Sequence, residues 1–307
     1  MAVYRPTPEE LREAALEIGL HFSEADAQSF HGLIQSQLDA YDLVDSMVEP
    51  LPEVAYPRTP GIRPEPEDNP YNAWAVKTTI AGARTGRLSG KRVAIKDNVC
   101  VAGVPMMNGA TILEGYVPEI DATIVTRMLD EGAVILGKAV CEYYCASGGS
   151  HTSANGAVEN PVVPGYNAGG SSSGSTALVV SGAVDMATGG DQGGSIRIPA
   201  SYCGAVGLKP THGLVPYTGV FAVELTVDHA GPITRTVADN ALMLEVIAGP
   251  DGLDPRQTGA PAQPYTRALA KGVHGLKIGI VPEGFGMAGA EAEVDARVLE
   301  AADRLAG

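Results

Sequence analysis

Two glycine-serine stretches lie close together in the chain: residues 169–174 read GGSSSG and residues 189–195 read GGDQGGS. A serine among glycines suits nucleophilic attack, because a tetrahedral oxyanion must come close to successive backbone N–H donors and a Cβ obstructs that approach. Ser195 is the candidate nucleophile, and the N–H groups of Gln192, Gly193, Gly194 and Ser195 are the candidate oxyanion donors. A serine hydroxyl needs a base near neutral pH. His151, His212 and His229 are near in sequence and leave a Ser-His-Asp arrangement open. The other source is Lys96, which ends the apolar run of VAIKDNV at 93–99. A desolvated amine can serve as a base, since full burial can lower a lysine's pKa by up to about 3 to 5. Taken alone, each feature has a plainer reading: the loops suit a phosphate cradle or a tight turn, and a lysine before an aspartate is commonly a solvated charge.

These loops act together only if regular elements bring them to one point. Beyond residue 72, short β-rich runs at 92–95, 133–136, 184–187 and 276–281 alternate with helical patterns at 121–131, after Ser173, at 236–247 and at 291–305. That rhythm predicts an α/β fold, a mixed sheet covered by helices. Asp121 is placed to cap the first of these helices and Gly132 to stop it. Residues 8–48 carry apolar positions at helical spacing, among them Leu11, Ala15, Phe30, Leu33, Leu38, Leu43 and Val44. Two amphipathic helices packed on the main domain are expected there. Residues 49–72 are dense in proline and read as an extended linker. The chain is therefore expected to divide into a helical extension with its linker, 1–72, and a main domain, 73–307.

Composition narrows the function class. Of 307 residues, 45% are hydrophobic and 19% charged, the balance of a soluble globular chain. A net charge of −15 with no Lys/Arg run excludes nucleic acid as a partner. The N-terminus has no uninterrupted apolar stretch, so neither a leader nor a membrane partner is expected, and the reading is cytoplasmic. Four cysteines are too few for a disulfide framework. Cys141 and Cys145 read as buried apolar filler rather than metal ligands, and no metal or organic cofactor is expected.

At this point the sequence resembles the amidase signature hydrolases. The likeness rests on VAIKDN around Lys96, GGSSSGS at 169–175, GGDQGGSIRIPA at 189–200 and GAVGLKPTHGLV at 204–215. Their spacing fits as well, with 24 residues from Ser171 to Ser195 and 99 from Lys96 to Ser195. The helical extension and its Pro-rich joint are similar to those of the enantioselective, nitrile-hydratase-associated amidases of actinobacteria. The resemblance implies a triad of Ser195, Ser171 and Lys96, with Ser171 joined to Gly170 by a cis peptide, and an acyl-enzyme route from small aliphatic or aromatic carboxamides to acid and ammonia. It implies further that Ser173 hydrogen-bonds near the triad, that Asp191 and Arg197 brace the loop, and that the carbonyls of Ser147, Gly148 and Gly149 line the entry. Many relatives have Thr where this chain has Gln192, whose amide is expected to face the acyl pocket. A homodimer is implied by the N-terminal helices. The alternatives within the same fold are the amidase component of a tRNA-dependent amidotransferase and a carbamate or aryl-acylamide hydrolase; a non-catalytic anion-binding module is the alternative outside it. Family members continue past residue 307, so part of the sheet and one wall of the acyl pocket are expected to lie outside this sequence.

Overall fold

The computed structural model describes residues 3–48 and 51–306; positions 1, 2, 49, 50 and 307 of the expected spans lie outside the described residues. The chain forms two compact units, Met1–Pro52 and Glu53–Gly307. In the first, the two expected helices are α1 (Pro8–Glu17) and α2 (Glu24–Ser46). Each starts with a capping box, Thr7 with Glu10 and Ser23 with Asp26, which satisfies backbone donors that a helix start leaves open. Phe22 stacks on Phe30 with ring centroids 4.6 Å apart, and Arg5 pairs with Asp39 at 2.9 Å and with Asp42. Leu33, Leu43 and Val44 of the apolar stripe are exposed.

The second unit is built on a mixed six-stranded sheet. Its strands are β1 (Trp74–Ala81), β2 (Arg92–Lys96), β3 (Val134–Ala139), β4 (Met186–Asp191), β5 (Val206–Gly207) and β6 (His229–Thr234), in the order β1-β3-β2-β4-β6-β5. β2 runs parallel to β3 and β4, and the outer pairings are antiparallel. The helices are α3 (Thr123–Asp130), α4 (Ser173–Val180), α5 (Arg197–Cys203), α6 (Val237–Ile247), the single turn α7 (Tyr265–Ala268) and α8 (Ala292–Ala306). The alternation of β2 splits its side chains between the two faces. Val93 and Ile95 join a cluster with Met128 and Leu129 of α3 and Met243 and Ile247 of α6. Ala94 joins the opposite cluster with Ala177, Leu178 and Val179 of α4. Each large apolar side chain buried this way contributes about 1.5–3 kcal/mol. Lys96 follows Ala94 by two, so its side chain points to the α4 side.

The α/β expectation holds, and four details differ from it. The compact unit begins at Glu53, ahead of the boundary expected near residue 72. Residues 53–72 form no free linker: Ile62 bridges to Lys77, Thr59 bonds to Thr78, and Asn69 Oδ1 accepts the amides of Ala73 and Trp74. Asp121 does not cap α3, whose cap position is Ala122; its carboxylate accepts Ala102 N at 2.9 Å and pairs with Arg58 instead. Gly132 does stop that helix, at φ +84°. Residues 276–281 form no strand, because no strand among the described residues pairs with them, and Leu276, Ile278 and Ile280 are exposed.

Candidate active site

The carboxyl ends of the parallel strands β2 and β4 point the same way, which is where open α/β sheets place their ligands. Lys96 ends β2; Asp191 ends β4 and leads into the loop that carries Ser195. Ser171 and Ser172 precede α4, which lies against that face. Lys96 has 0% exposure. Its Nζ donates to Ser171 Oγ at 2.8 Å and to the Gly190 carbonyl at 3.3 Å. Its own amide donates to Thr188 Oγ1 at 2.8 Å, fixing the strand end. Among the described residues, no carboxylate lies within ion-pair distance of Lys96.

A second fully buried lysine makes a useful contrast. Lys138 of β3 pairs with the equally buried Asp97 at 3.3 Å, and Asp97 Oδ2 also accepts the amides of Met107 and Asn108. Burial pushes the Asp97 pKa up, with Lys138 opposing it. Lys138 is therefore a structural ion pair, whereas Lys96 is matched to a hydroxyl and a carbonyl.

Gly170 and Ser171 are joined by a cis peptide, as expected. A Cβ on Gly170 would lie 2.0 Å from the Gly149 carbonyl oxygen, so only glycine fits. Gly170 N donates to the Gly148 carbonyl at 2.8 Å, and Glu142 N donates to the Ser171 carbonyl at 3.2 Å. The segment 147–149 thus lies against the Gly170–Ser171 peptide, but the Gly148 carbonyl is committed to it rather than free to line an entry. Ser195 is buried at 7% exposure, and its carbonyl accepts Ser172 N at 3.1 Å. Lys96 and Ser171 are in direct contact; Ser195 is tied by main chain to the residue beside Ser171.

The loop after β4 is wound on Asp191. Its carboxylate accepts the amides of Gly194 at 2.8 Å and Ile196 at 3.1 Å, and it pairs with Arg197 at 2.9 Å. Burial works against the charge, but Arg197 and the amides hold the Asp191 pKa below the usual carboxylate range. The bracing role expected of both residues fits this geometry. One oxyanion candidate changes: the Gly194 amide is spent on Asp191. The amides of Gln192, Gly193 and Ser195 have no protein acceptor among the described residues.

Two further residues are held by specific partners. Ser173 Oγ donates to the Val140 carbonyl at 3.4 Å, next to Ala139, the strand partner of Lys96, and Ser172 Oγ shares the Gly190 carbonyl with Lys96, at 3.2 Å. The Gln192 amide is held by Asp228 Oδ1 at 2.7 Å and the Tyr217 hydroxyl at 3.3 Å, with its Oε1 buried and unpartnered. Burial, then the neighbouring Asp228, pushes the Tyr217 pKa up. No spacing signal links Gln192 to residues 25 and 36 positions away. Among the described residues no histidine contacts either serine: His151 and His212 are exposed, and His229 is held between the Val227 carbonyl and Lys209. Among the described residues, no helix is long and apolar enough to cross a membrane.

Comparison with known proteins places the chain in a family. Residues 66–307 match the Amidase family. An enantioselective amidase of Rhodococcus rhodochrous is 53% identical over 266 residues, 85% of this chain and 51% of that protein. A glutamyl-tRNA(Gln) amidotransferase component of a Synechococcus species is 44% identical over 235 residues, 76% of this chain and 48% of that protein. Among solved structures, the native peptide amidase of Stenotrophomonas maltophilia superimposes with a TM-score of 0.58 at 38% identity, covering 62% of this chain and 41% of that one. The chain spans about half the length of the curated relatives it matches. A match over most of the residues, together with a relative of this identity, means that the chain belongs to the amidase signature family.

Proposed function

We propose that this chain carries the catalytic residues of an amidase acting on small aliphatic or aromatic carboxamides, with Ser195 as nucleophile, Ser171 as proton relay and Lys96 as base. The observation that carries the reading is the 2.8 Å contact between Lys96 Nζ and Ser171 Oγ at a fully buried amine that has no carboxylate partner among the described residues. In this reading the amine accepts the Ser171 proton across the same contact. Ser195 Oγ attacks the amide carbon and its proton passes to Ser171, whose own proton goes to Lys96. The oxyanion is received by the amides of Gln192, Gly193 and Ser195. As the intermediate collapses, Ser171 protonates the leaving nitrogen, which departs as ammonia. Water then cleaves the acyl ester by the reverse proton path, giving the acid.

The net charge of −15 and the 53% identity to an enantioselective amidase favour a small uncharged amide over tRNA-linked chemistry. A homodimer formed through the N-terminal unit and a cytoplasmic location belong to the same reading; four buried free cysteines fit a reducing compartment. The test is ammonia release from benzamide and propionamide by the chain alone, with Ser195→Ala as control. Release that Ser195→Ala abolishes supports the reading. Release only in the presence of amidotransferase partner proteins, or no release together with no fluorophosphonate labelling of Ser195, overturns it.

A further inference from the structure

The proposed mechanism leaves one buried nucleophile beside the triad unused. Cys145 ends the short turn Tyr143–Cys145 and is buried. Tyr144 and Cys145 both adopt left-handed backbone, at φ 46° and 59°, an uncommon and strained state for residues other than glycine. The Cys141 thiol, foremost, holds the Cys145 pKa below the usual thiol range, and burial opposes this. Cys141 is pushed up by the same contact. Both thiols also share one acceptor, Asn108 Oδ1, at 3.5 Å from Cys141 and 3.3 Å from Cys145. The other two cysteines lie apart: Cys100 contacts Met106 Sδ at 3.8 Å, and Cys203 donates to the Ala168 carbonyl at 3.4 Å.

The turn that joins the two thiols also holds the peptide carrying Ser171. Glu142 N donates to the Ser171 carbonyl, and the Gly148 carbonyl accepts Gly170 N. Glu142 in turn clamps the following loop, its Oε2 accepting Thr152 N at 2.9 Å and Thr152 Oγ1 at 2.6 Å. Any change in the path from Cys141 to Cys145 is therefore passed to the serine that contacts Lys96.

We propose that Cys145 and Cys141 are a modification site for hydrogen peroxide, where oxidation to a disulfide shuts the neighbouring hydrolytic site. The Cys145 thiolate attacks one peroxide oxygen, the O–O bond breaks, and the departing hydroxide takes a proton to leave as water, so Cys145 becomes a sulfenic acid. The Cys141 sulfur then attacks the Cys145 sulfur, the S–O bond breaks, and a second water leaves with the Cys141 proton. Two thiols and one peroxide give one disulfide and two waters. A disulfide draws its Cα atoms to about 4.4–6.8 Å with a fixed torsion. In the proposed oxidised state the turn takes up that geometry, and the hold of Glu142 on the Ser171 carbonyl changes with it. The consequence for hydrolysis rests on the function proposed above; the oxidation itself does not.

The test treats the full chain with hydrogen peroxide, blocks free thiols with iodoacetamide and maps cysteines by peptide mass. The expected result is a Cys141–Cys145 link, with Cys100 and Cys203 still alkylated and the link removed by dithiothreitol. Cys141→Ala should stop at a sulfenic acid on Cys145, captured by dimedone, and Cys145→Ala should give neither product. Labelling of Ser195 by a fluorophosphonate should fall at least about tenfold after peroxide and return on reduction. Oxidation confined to Cys100 or Cys203, or an equal loss of labelling in Cys145→Ala, overturns the proposal. A mapped link in a protein that hydrolyses no amide leaves the modification site standing and counts against the function; no link in an active protein counts against the site alone.

Discussion

Replacing Asp191 with asparagine changes one atom and tests whether the nucleophile loop is wound on a charge. Oδ1 accepts Gly194 N at 2.8 Å and Arg197 Nη2 at 2.9 Å; Oδ2 accepts Ile196 N at 3.1 Å and Arg197 Nε at 3.0 Å. Whichever oxygen becomes an NH2, it faces at least two N–H donors. Hydrogen bonds to a charged group are worth about 1.5–3 kcal/mol each. The bonds to the buried amides count nearly in full, whereas Arg197, 54% exposed, is discounted for solvent screening. Asp191→Asn should therefore cost about 2–4 kcal/mol, and Arg197→Ala at most about 1 kcal/mol. The assay is urea unfolding followed by the fluorescence of the single tryptophan, Trp74, which is buried in this unit. Fluorophosphonate labelling of Ser195 is read in parallel and should drop in Asp191→Asn as the oxyanion amides lose their frame. An Asp191→Asn protein within about 0.5 kcal/mol of the parent, or an Arg197→Ala cost equal to it, refutes the reasoning.

Three other outcomes follow from the same geometry. Gly170→Ala should abolish Ser195 labelling, since its Cβ would sit 2.0 Å from the Gly149 oxygen; normal labelling would contradict that packing. Lys138→Met should cost about 3–5 kcal/mol in urea unfolding by leaving the buried Asp97 unpaired; a cost below about 1 kcal/mol would mean that the pair is not structural. Asp185 is held down to about 2, by Arg92 first, against partial burial, whereas an unpaired aspartate titrates near about 3.9. A lowered folded pKa gives stability that is complete above about pH 4 and lost as pH falls through about 2. The stability gap between the parent and Arg92→Ala should therefore narrow from pH 6 to pH 3, and a gap constant over that range would sink the assignment.

What the sequence disclosed was local. Lys96 was legible because it ends an apolar run and stands at a set distance from two serine loops, and both loops were legible because glycine marks where backbone must approach closely. The parts that escaped it depend on distant partners. Asp121 looks like a cap in isolation, but Arg58, 63 residues upstream, takes its carboxylate. Strand β6 contains Gly231 and Pro232, which read as breakers, yet it pairs with β4 along its whole length. Residues 276–281 alternate like a strand, but a strand exists only where an edge accepts it. The tie of Gln192 to Tyr217 and Asp228 and the meeting of Cys141 and Cys145 at Asn108 likewise need the folded chain.

The central claim is that Lys96 acts as the base through Ser171. Its most direct test is the rate at which a fluorophosphonate labels Ser195 in the parent and in Lys96→Ala, with and without added ethylamine. A positioned base contributes about 10²- to 10⁴-fold, so labelling in Lys96→Ala should fall by at least about 10²-fold and recover in part when the amine enters the vacated space. Labelling of Lys96→Ala within about twofold of the parent would contradict the account.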